Sequence, residues 1–150
     1  MTAFDPNFFA QQTFVGENST ESVPFPEGDW PFLIEEAKVT AWQGKADPSK
    51  GGLKLQVKMS CEDQAVAKVT GRAKNTLTYE CMLDLTEDGR LDMGKGMNVR
   101  LGRLRAAIGL NEPGTPWTFD MMAGRTCMGK VKHEAYEGRA LAKIADVAKG

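Results

Sequence analysis

The most constraining feature of the sequence is a run at residues 53–61 in which apolar and polar side chains alternate strictly. Leu53, Leu55, Val57 and Met59 form the apolar set, and Lys54, Gln56 and Lys58 form the polar set. Because successive side chains of a strand point to opposite faces, a strand here buries its apolar row and exposes a row that contains two lysines. The pattern predicts a small sheet or barrel whose outer face contacts something anionic.

A longer strand is predicted before it, over residues 29–42. Its apolar residues are even-numbered at first (Trp30, Phe32, Ile34) and odd-numbered later (Ala37, Val39, Ala41), with the change near Glu35. A β-bulge at that point would put both sets on one face. Residues 43–52 are rich in Gly, Pro, Asp and Ser, which is typical of a loop. A long, bent first strand is typical of small closed barrels.

Three more strands and one helix are predicted downstream. The strands are expected at residues 75–83, 125–134 and 139–147, and the helix at 98–108, where Met97, Leu101, Leu104 and Ile108 form one apolar stripe. Residues 62–74 and 111–124 are expected to be loops, with a short strand as an option at 65–67. The fold class is therefore mainly β: a five-stranded OB-fold barrel with one helix between strands 3 and 4.

Charged residues are distributed unevenly along the 150-residue chain, whose formal net charge is −1. Residues 1–37 contain seven acidic residues and no Lys or Arg, and residues 38–150 contain the other 13 acidic residues and all 19 basic ones. Residues 1–25 also lack any period of 2 or 3.6, which predicts an acidic extended arm ahead of one folded domain at 26–150. A basic body with an acidic arm is typical of nucleic-acid binders, although chance clustering on a solvated arm gives the same split.

Signals for export and membrane insertion are missing from the sequence. No apolar stretch approaches the length of a membrane span, and residues 1–5 lack the basic and then apolar start of a signal peptide. We therefore expect a cytoplasmic protein with no membrane partner. Cys61, Cys81 and Cys127 form no CxxC pair and lie in apolar contexts, so reduced core cysteines are expected rather than a disulfide framework.

Short segments across residues 26–147 resemble a known protein family. They are 26–30 (PEGDW), 51–55 (GGLKL), 100–110 (RLGRLRAAIGL), 124–125 (GR) and 136–139 (YEGR). These segments are similar to strand starts, the basic helix and the last hairpin of phage-encoded single-stranded-DNA-binding proteins with an OB-fold. The resemblance implies sequence-independent binding of single-stranded DNA in phage DNA replication or recombination, in the host cytoplasm. Residues 1–25 lie outside it, and the chain ends in AKG where many such proteins have an acidic tail.

Single-strand binding requires cations that follow the phosphates and aromatic faces on which bases stack. In OB-folds, strands 2 and 3 with loops 1–2 and 4–5 form the usual binding surface. The predicted nucleic-acid-binding residues on that surface are Trp42, Lys45, Lys50, Lys54, Lys58, Arg72, Lys74, Lys132, Tyr136 and Arg139. Alternatively, Trp42 closes one end of the barrel and the lysines form ordinary solvated rows. Trp30 and Trp117 are expected to be buried.

Other chemistries are not supported by the residue patterns. Residues 84–95 resemble a calcium loop, but the twelfth position is Lys95, where the ion requires a carboxylate. The cysteines and His133 lack zinc-ligand spacing, and GKG at 94–96 is too short for a phosphate-binding loop. His133 has no Ser or Cys partner in the sequence pattern, so we expect neither an enzyme nor a cofactor.

The expected partners are single-stranded DNA and, through the acidic arm, replication or recombination proteins. A homo-oligomer is left open. Two other interpretations fit the same patterns: a structural or assembly β-barrel of a phage that oligomerises without binding nucleic acid, and an OB-fold module that binds RNA or a protein.

Overall fold

A computed structural model describes residues 4–150 of the protein. Its strands are β1 (Gly28–Gln43), β2 (Gly51–Cys61), β3 (Asn75–Met82), β4 (Thr126–Tyr136) and β5 (Arg139–Ala148). Its helices are α1 (Pro6–Ala10), α2 (Gln64–Thr70) and α3 (Val99–Ala107), with a short 3-10 helix at Phe119–Met122. The protein is mainly β, and each of the five predicted strands is present. Across residues 4–150, no helix is both long and apolar enough to cross a membrane.

The strands form one antiparallel sheet with the order β3-β2-β1-β4-β5. β1 is the central strand: it pairs with β4 from Gly28 to Leu33 and with β2 from Leu33 to Gln43. The ladder with β2 shifts register between Ile34 and Glu36, which confirms the predicted bulge. The shift puts the apolar residues of both halves of β1 on the face that carries the core.

One hydrophobic core covers a single face of the sheet. The alternating side chains of β2 and β3 supply its centre, and α3 adds two leucines. The fully buried residues include Leu55, Val57, Met59, Tyr79, Cys81, Leu101, Leu104 and Val131. The apolar stripe predicted for the helix is therefore largely confirmed, but its first member, Met97, is 41% exposed.

The two outer strands of the sheet, β3 and β5, are bridged by a side chain. Arg100 on α3 donates from Nε to the carbonyl oxygen of Glu80 on β3, at 2.7 Å. The same guanidinium donates from Nη2 to Ile144 O at 3.2 Å and from Nη1 to Ala145 O at 3.3 Å, both on β5. It also lies 3.9 Å from the centroid of the Tyr79 ring. Arg100 thus connects β3 and β5, the strands at the two edges of the sheet.

Residues 62–74 differ from their prediction, because they contain α2 instead of a loop or a short strand at 65–67. The Asp63 carboxylate caps the helix by accepting from Ala65 N at 2.9 Å, and Gly71 ends it with a left-handed φ of 76°. Val66 is its buried residue. The fold therefore has a helix between strands 2 and 3 in addition to the predicted one between strands 3 and 4.

The arm, predicted to be extended, contains the short helix α1. The Asp5 carboxylate caps this helix by accepting from Asn7 N at 3.0 Å. The remaining described part of the arm is irregular up to β1. Its end is anchored: Phe25 is buried and stacks on Phe32, with ring centroids 5.6 Å apart. His133 Nε2 on β4 donates to Phe25 O at 2.6 Å. Phe25 therefore belongs to the core of the folded domain.

Candidate functional site

A polar face lies on the opposite side of β1, β2 and β3 from the core. Residues directly opposite each other in antiparallel strands point to the same face. Pairing of Lys38 with Gln56, Thr40 with Lys54, and Trp42 with Gly52 therefore places these six side-chain positions together. A cavity of about 230 Å³ opens on this polar face and is lined by Glu36, Lys38, Gln56, Lys58, Thr76 and Thr78.

Trp42 lies at the end of the polar face beside the β1–β2 loop. The ring is half-buried, because its indole occupies the space in which a side chain of residue 52 would lie. A Cβ at Gly52 would stand 3.0 Å from the indole Nε1 and 3.3 Å from Cε2. Lys45 and Lys50 lie in the adjoining loop and are exposed. The aromatic ring is thus held over the strand surface, next to a loop that carries two exposed lysines.

The polar face has mixed charge, in contrast to the cationic row that alternation alone predicts. Lys54 Nζ forms an ion pair with Glu80 Oε2 on β3 at 3.0 Å. Glu36 is directly opposite Lys58 across the β1–β2 ladder. Lys58 makes no ion pair within 4 Å among the described residues, so its ammonium is available to a ligand. The ammonium of Lys54 is less available to a ligand, because it must first leave its ion pair with Glu80.

A second cavity, of about 310 Å³, adjoins the first through Thr76. It brings Arg72 and Lys74 together with residues 140–142 of β5 and with residues 22–25 of the arm. Lys74 Nζ pairs with Glu35 Oε1 at 2.7 Å, and the same oxygen accepts from Ser60 Oγ at 2.8 Å. These two hydrogen bonds lower the pKa of the Glu35 carboxyl. Arg72 makes no ion pair within the described residues.

The β4–β5 hairpin carries the last predicted residues. Tyr136 pairs with Arg139 across a two-residue turn in which Glu137 and Gly138 both have positive φ, of 49° and 77°. Tyr136 is 59% exposed, and Lys132 and Arg139 are exposed as well. This hairpin therefore presents a solvated ring with cations close to it.

The predicted residues fall into two groups on the sheet. β4 runs antiparallel to β1, so its hairpin extends past Gly28, whereas the hairpin with Trp42 extends from the other end of β1. In the first group, Trp42, Lys54 and Lys58 share the polar face. In the second group, residues 140–142 of the β4–β5 hairpin lie beside Arg72 and Lys74. The two cavities share Thr76 and thereby connect the two groups.

Several side chains of the polar face were missing from the predicted set. Lys38, Gln56 and Thr78 line its cavity, and Glu36 and Glu80 supply its negative charge. Lys38 and Gln56 have the parity of Trp42 and Lys54, so alternation could have identified them. Glu80 lies directly opposite Gln56 in the β2–β3 ladder. Alternation could not identify this pair, because α2 separates the two strands in the sequence.

The remaining tryptophans and the cysteines lie away from the polar face. Trp30 and Trp117 are half-buried, and Trp117 lies 4.0 Å from the guanidinium of Arg105. All three cysteines are free and buried, as predicted, and burial raises the pKa of Cys81 and of Cys127 to about 11. Within residues 4–150, no cluster of three or more His, Cys, Asp or Glu side chains has a geometry that could hold a metal ion.

The chain matches no protein-family model, and a comparison with curated proteins finds no significant relative.

Proposed function

We propose that this protein is a sequence-independent single-stranded-DNA-binding protein of phage DNA replication or recombination. The observation that carries the proposal is the polar face of β1, β2 and β3, where an aromatic ring, Trp42, shares one surface with Lys38 and Lys58. Stacking on an aromatic ring tolerates any base and contributes roughly 1–3 kcal/mol per base. Ammonium groups a few residues away then contact the phosphates without reading sequence.

The second cavity extends this surface. Arg72 and Lys74 lie beside Thr76, and residues 140–142 connect them to the hairpin with Tyr136. A strand that crosses from Trp42 toward Tyr136 would pass Lys58 and then these two cations. Such a path runs along β2, from its start at Gly52 to its end at Cys61, with loops 1–2 and 4–5 at the two ends of the path.

The proposal includes the OB-fold, and the sheet order supports it. A five-stranded barrel of this class that is opened between strands 3 and 5 has the order β3-β2-β1-β4-β5. Arg100 joins β3 to β5 by hydrogen bonds to both strands, which is where the two edges of such a barrel meet. α3 lies between strands 3 and 4 in the sequence, as this fold class requires.

The acidic arm is proposed to compete with DNA and to engage partner proteins. Residues 22–25 line the same cavity as Arg72 and Lys74, so the preceding acidic residues Glu17 and Glu21 are tethered close to these cations. The arm also exposes four phenylalanines, Phe4, Phe8, Phe9 and Phe14, each at least 62% accessible. Exposed aromatic side chains on an acidic segment favour contact with another protein.

A gel-shift panel of single-stranded DNA, duplex DNA and RNA of equal length tests the proposal. We expect binding to single-stranded DNA of any sequence, with weaker binding to the duplex, because stacking requires unpaired bases. Preference for RNA would favour an RNA-binding module instead. Failure to bind any of the three would leave an assembly protein as the better interpretation.

A further inference from the structure

A second arginine of α3, Arg105, is buried with most of its hydrogen-bond donors unpaired. Only 7% of the residue is exposed, and its guanidinium lies 4.0 Å from the centroid of the Trp117 ring. Its Nε donates to Leu110 O at 3.0 Å, which is the one hydrogen bond of this side chain among the described residues. Both Nη groups therefore lack a partner within the described chain, and no carboxylate of that part lies within 4 Å of them.

Arg100, earlier on the same helix, shows how differently the two guanidinium groups are used. It also lies against an aromatic ring, that of Tyr79, but it donates from Nε, Nη1 and Nη2 to backbone carbonyls. The fold thus uses every nitrogen of Arg100 and only one nitrogen of Arg105. A buried charge without a counterion is costly, because it loses hydration and gains no opposite charge. Burial accordingly lowers the pKa of the Arg105 guanidinium.

The unpaired Nη groups of Arg105 open into a cavity. They are not among the polar atoms of the described residues that are both sealed from solvent and unpaired. The space beside them is a cavity of about 600 Å³ that Arg105 lines together with Met93 and residues 111–117. Pro113, Pro116 and the Trp117 ring give this cavity apolar walls. Its volume lies in the range that is typical of sites for small ligands.

The charges around the cavity favour a single carboxylate over the phosphates of a nucleic acid. A planar guanidinium binds a carboxylate through two parallel N–H···O bonds. Among the described residues that line the cavity, Arg105 is the one cation and Glu112 adds a negative charge. A polyanionic strand would meet that carboxylate and no second cation, whereas nucleic-acid surfaces neutralise several phosphates. The apolar walls suit an apolar side chain next to the bound carboxylate.

We propose that this cavity binds an acidic segment of a partner protein, with one carboxylate on the Nη groups of Arg105 and an adjacent apolar side chain against Trp117 and the prolines. The bound carboxylate supplies the counterion and the hydrogen-bond acceptors that the described chain does not. The cavity shares no lining residue with the two cavities of the proposed DNA-binding surface. The site is therefore separate from the proposed function, and a partner bound there leaves the DNA-binding surface open.

Titration of the full-length, ¹⁵N-labelled protein with blocked dipeptides, followed by NMR, tests the site. The probe is acetyl-Asp-Phe-amide, and its matched control is acetyl-Asn-Phe-amide, which lacks the charge. The probe should cause saturable shifts of the Arg105 Nε–H, which is protected by its bond to Leu110 O, and of the Trp117 indole N–H. The control should leave both resonances in place. Absence of shifts with the probe, or equal shifts with both dipeptides, would overturn the inference.

Inorganic phosphate separates a carboxylate site from a phosphate site. At the same concentration as the probe, phosphate should shift the two resonances less, because Glu112 repels a doubly charged anion more strongly and the apolar walls give phosphate no contact. Larger shifts with phosphate than with acetyl-Asp-Phe-amide would overturn the assignment to a carboxylate.

Two substitutions test the same site by affinity for the probe. E112Q should raise the affinity about twofold, the effect of one unit charge at roughly 10 Å in water. E62Q is the matched control, because Glu62 is exposed and does not line the cavity. R105K keeps the charge but removes the planar fork, and it should lower the affinity roughly tenfold. Unchanged affinity in E112Q, or in an R105K variant with a native circular-dichroism spectrum, would overturn the inference. Since Glu112 is exposed, E112Q decides the question if R105K does not fold.

Discussion

The indole of Trp42 lies over its cross-strand partner Gly52, in the space that any larger residue at position 52 would need. A Cβ there would stand 3.0 Å from the indole Nε1, closer than real Cβ contacts normally come. Glycine at this position lets the ring remain against the strand and keeps it at the edge of the polar face. The pair is thus a built aromatic platform next to the β1–β2 loop.

Removing that platform should weaken binding of single-stranded DNA. We predict that W42A loses about 1–3 kcal/mol of binding free energy, or roughly 5- to 150-fold in affinity. G52V should weaken binding in the same direction but by less, because it displaces the ring without removing it. Fluorescence anisotropy of a labelled oligonucleotide measures both. W117F is the control, because Trp117 lies away from the polar face, and an equal loss in W117F would contradict the assignment.

Lys54 and Lys58 provide a matched pair on one strand, four residues apart. Lys58 has no ion-pair partner among the described residues, whereas Lys54 is held by Glu80 at 3.0 Å. K58A should therefore reduce the slope of log affinity against log salt concentration by about 0.7, the value for one phosphate contact on a single strand. K54A should change the slope less, and E80Q should raise affinity by releasing Lys54. Equal slopes for the wild type and K58A would contradict this assignment.

Deletion of residues 1–21 should tighten DNA binding at low salt. The deletion removes Glu17 and Glu21 but retains Phe25, which is part of the core. Two carboxylates about 10 Å from a phosphate each repel it by about 0.4 kcal/mol in water, so the gain should be roughly three- to fivefold. Deletion of residues 1–12 is the control, because it keeps both carboxylates and should leave affinity unchanged. Unchanged or weaker binding after the longer deletion would argue against competition by the arm.

Arg100 should stabilise the fold far more than its neighbour Arg103. Its guanidinium donates three hydrogen bonds to backbone carbonyls of β3 and β5 and lies on the Tyr79 ring. R100A should lower the free energy of unfolding by about 1–3 kcal/mol. R103A removes an exposed arginine with no hydrogen bond among the described residues and should change it by less than about 0.5 kcal/mol. Urea denaturation measures both, and similar midpoints for the two variants would contradict the bridging role.

The strands were predictable because their patterns are local. Alternation fixed β2, and the change of parity near Glu35 identified the bulge in β1 before any partner strand was known. α2 was missed because its seven residues show no repeating stripe and bury only Val66. Its capping residues, Asp63 and Gly71, were the signal available in the sequence. They begin and end a helix where the prediction allowed a loop or a short strand.

Features that depend on distant parts of the chain were not predictable. Asn98 immediately precedes α3, but its side chain donates to the carbonyl oxygens of Asp84 and Asp92 and makes no capping bond to the helix. The pairing of Lys54 with Glu80 requires the β2–β3 register, and the contacts of Arg100 require β5 to lie beside β3. Sequence alternation specifies faces, whereas charge balance on a face depends on which strands become neighbours.

Titration of tryptophan fluorescence with oligo-dT at two salt concentrations tests the central claim most directly. If bases stack on Trp42, the oligonucleotide should quench the emission at low salt, and the apparent affinity should fall steeply at the higher salt concentration. W42F should lose most of the quenching, whereas W117F should retain it. Absence of quenching at low salt, or quenching that persists in W42F, would contradict the claim that this polar face binds single-stranded DNA.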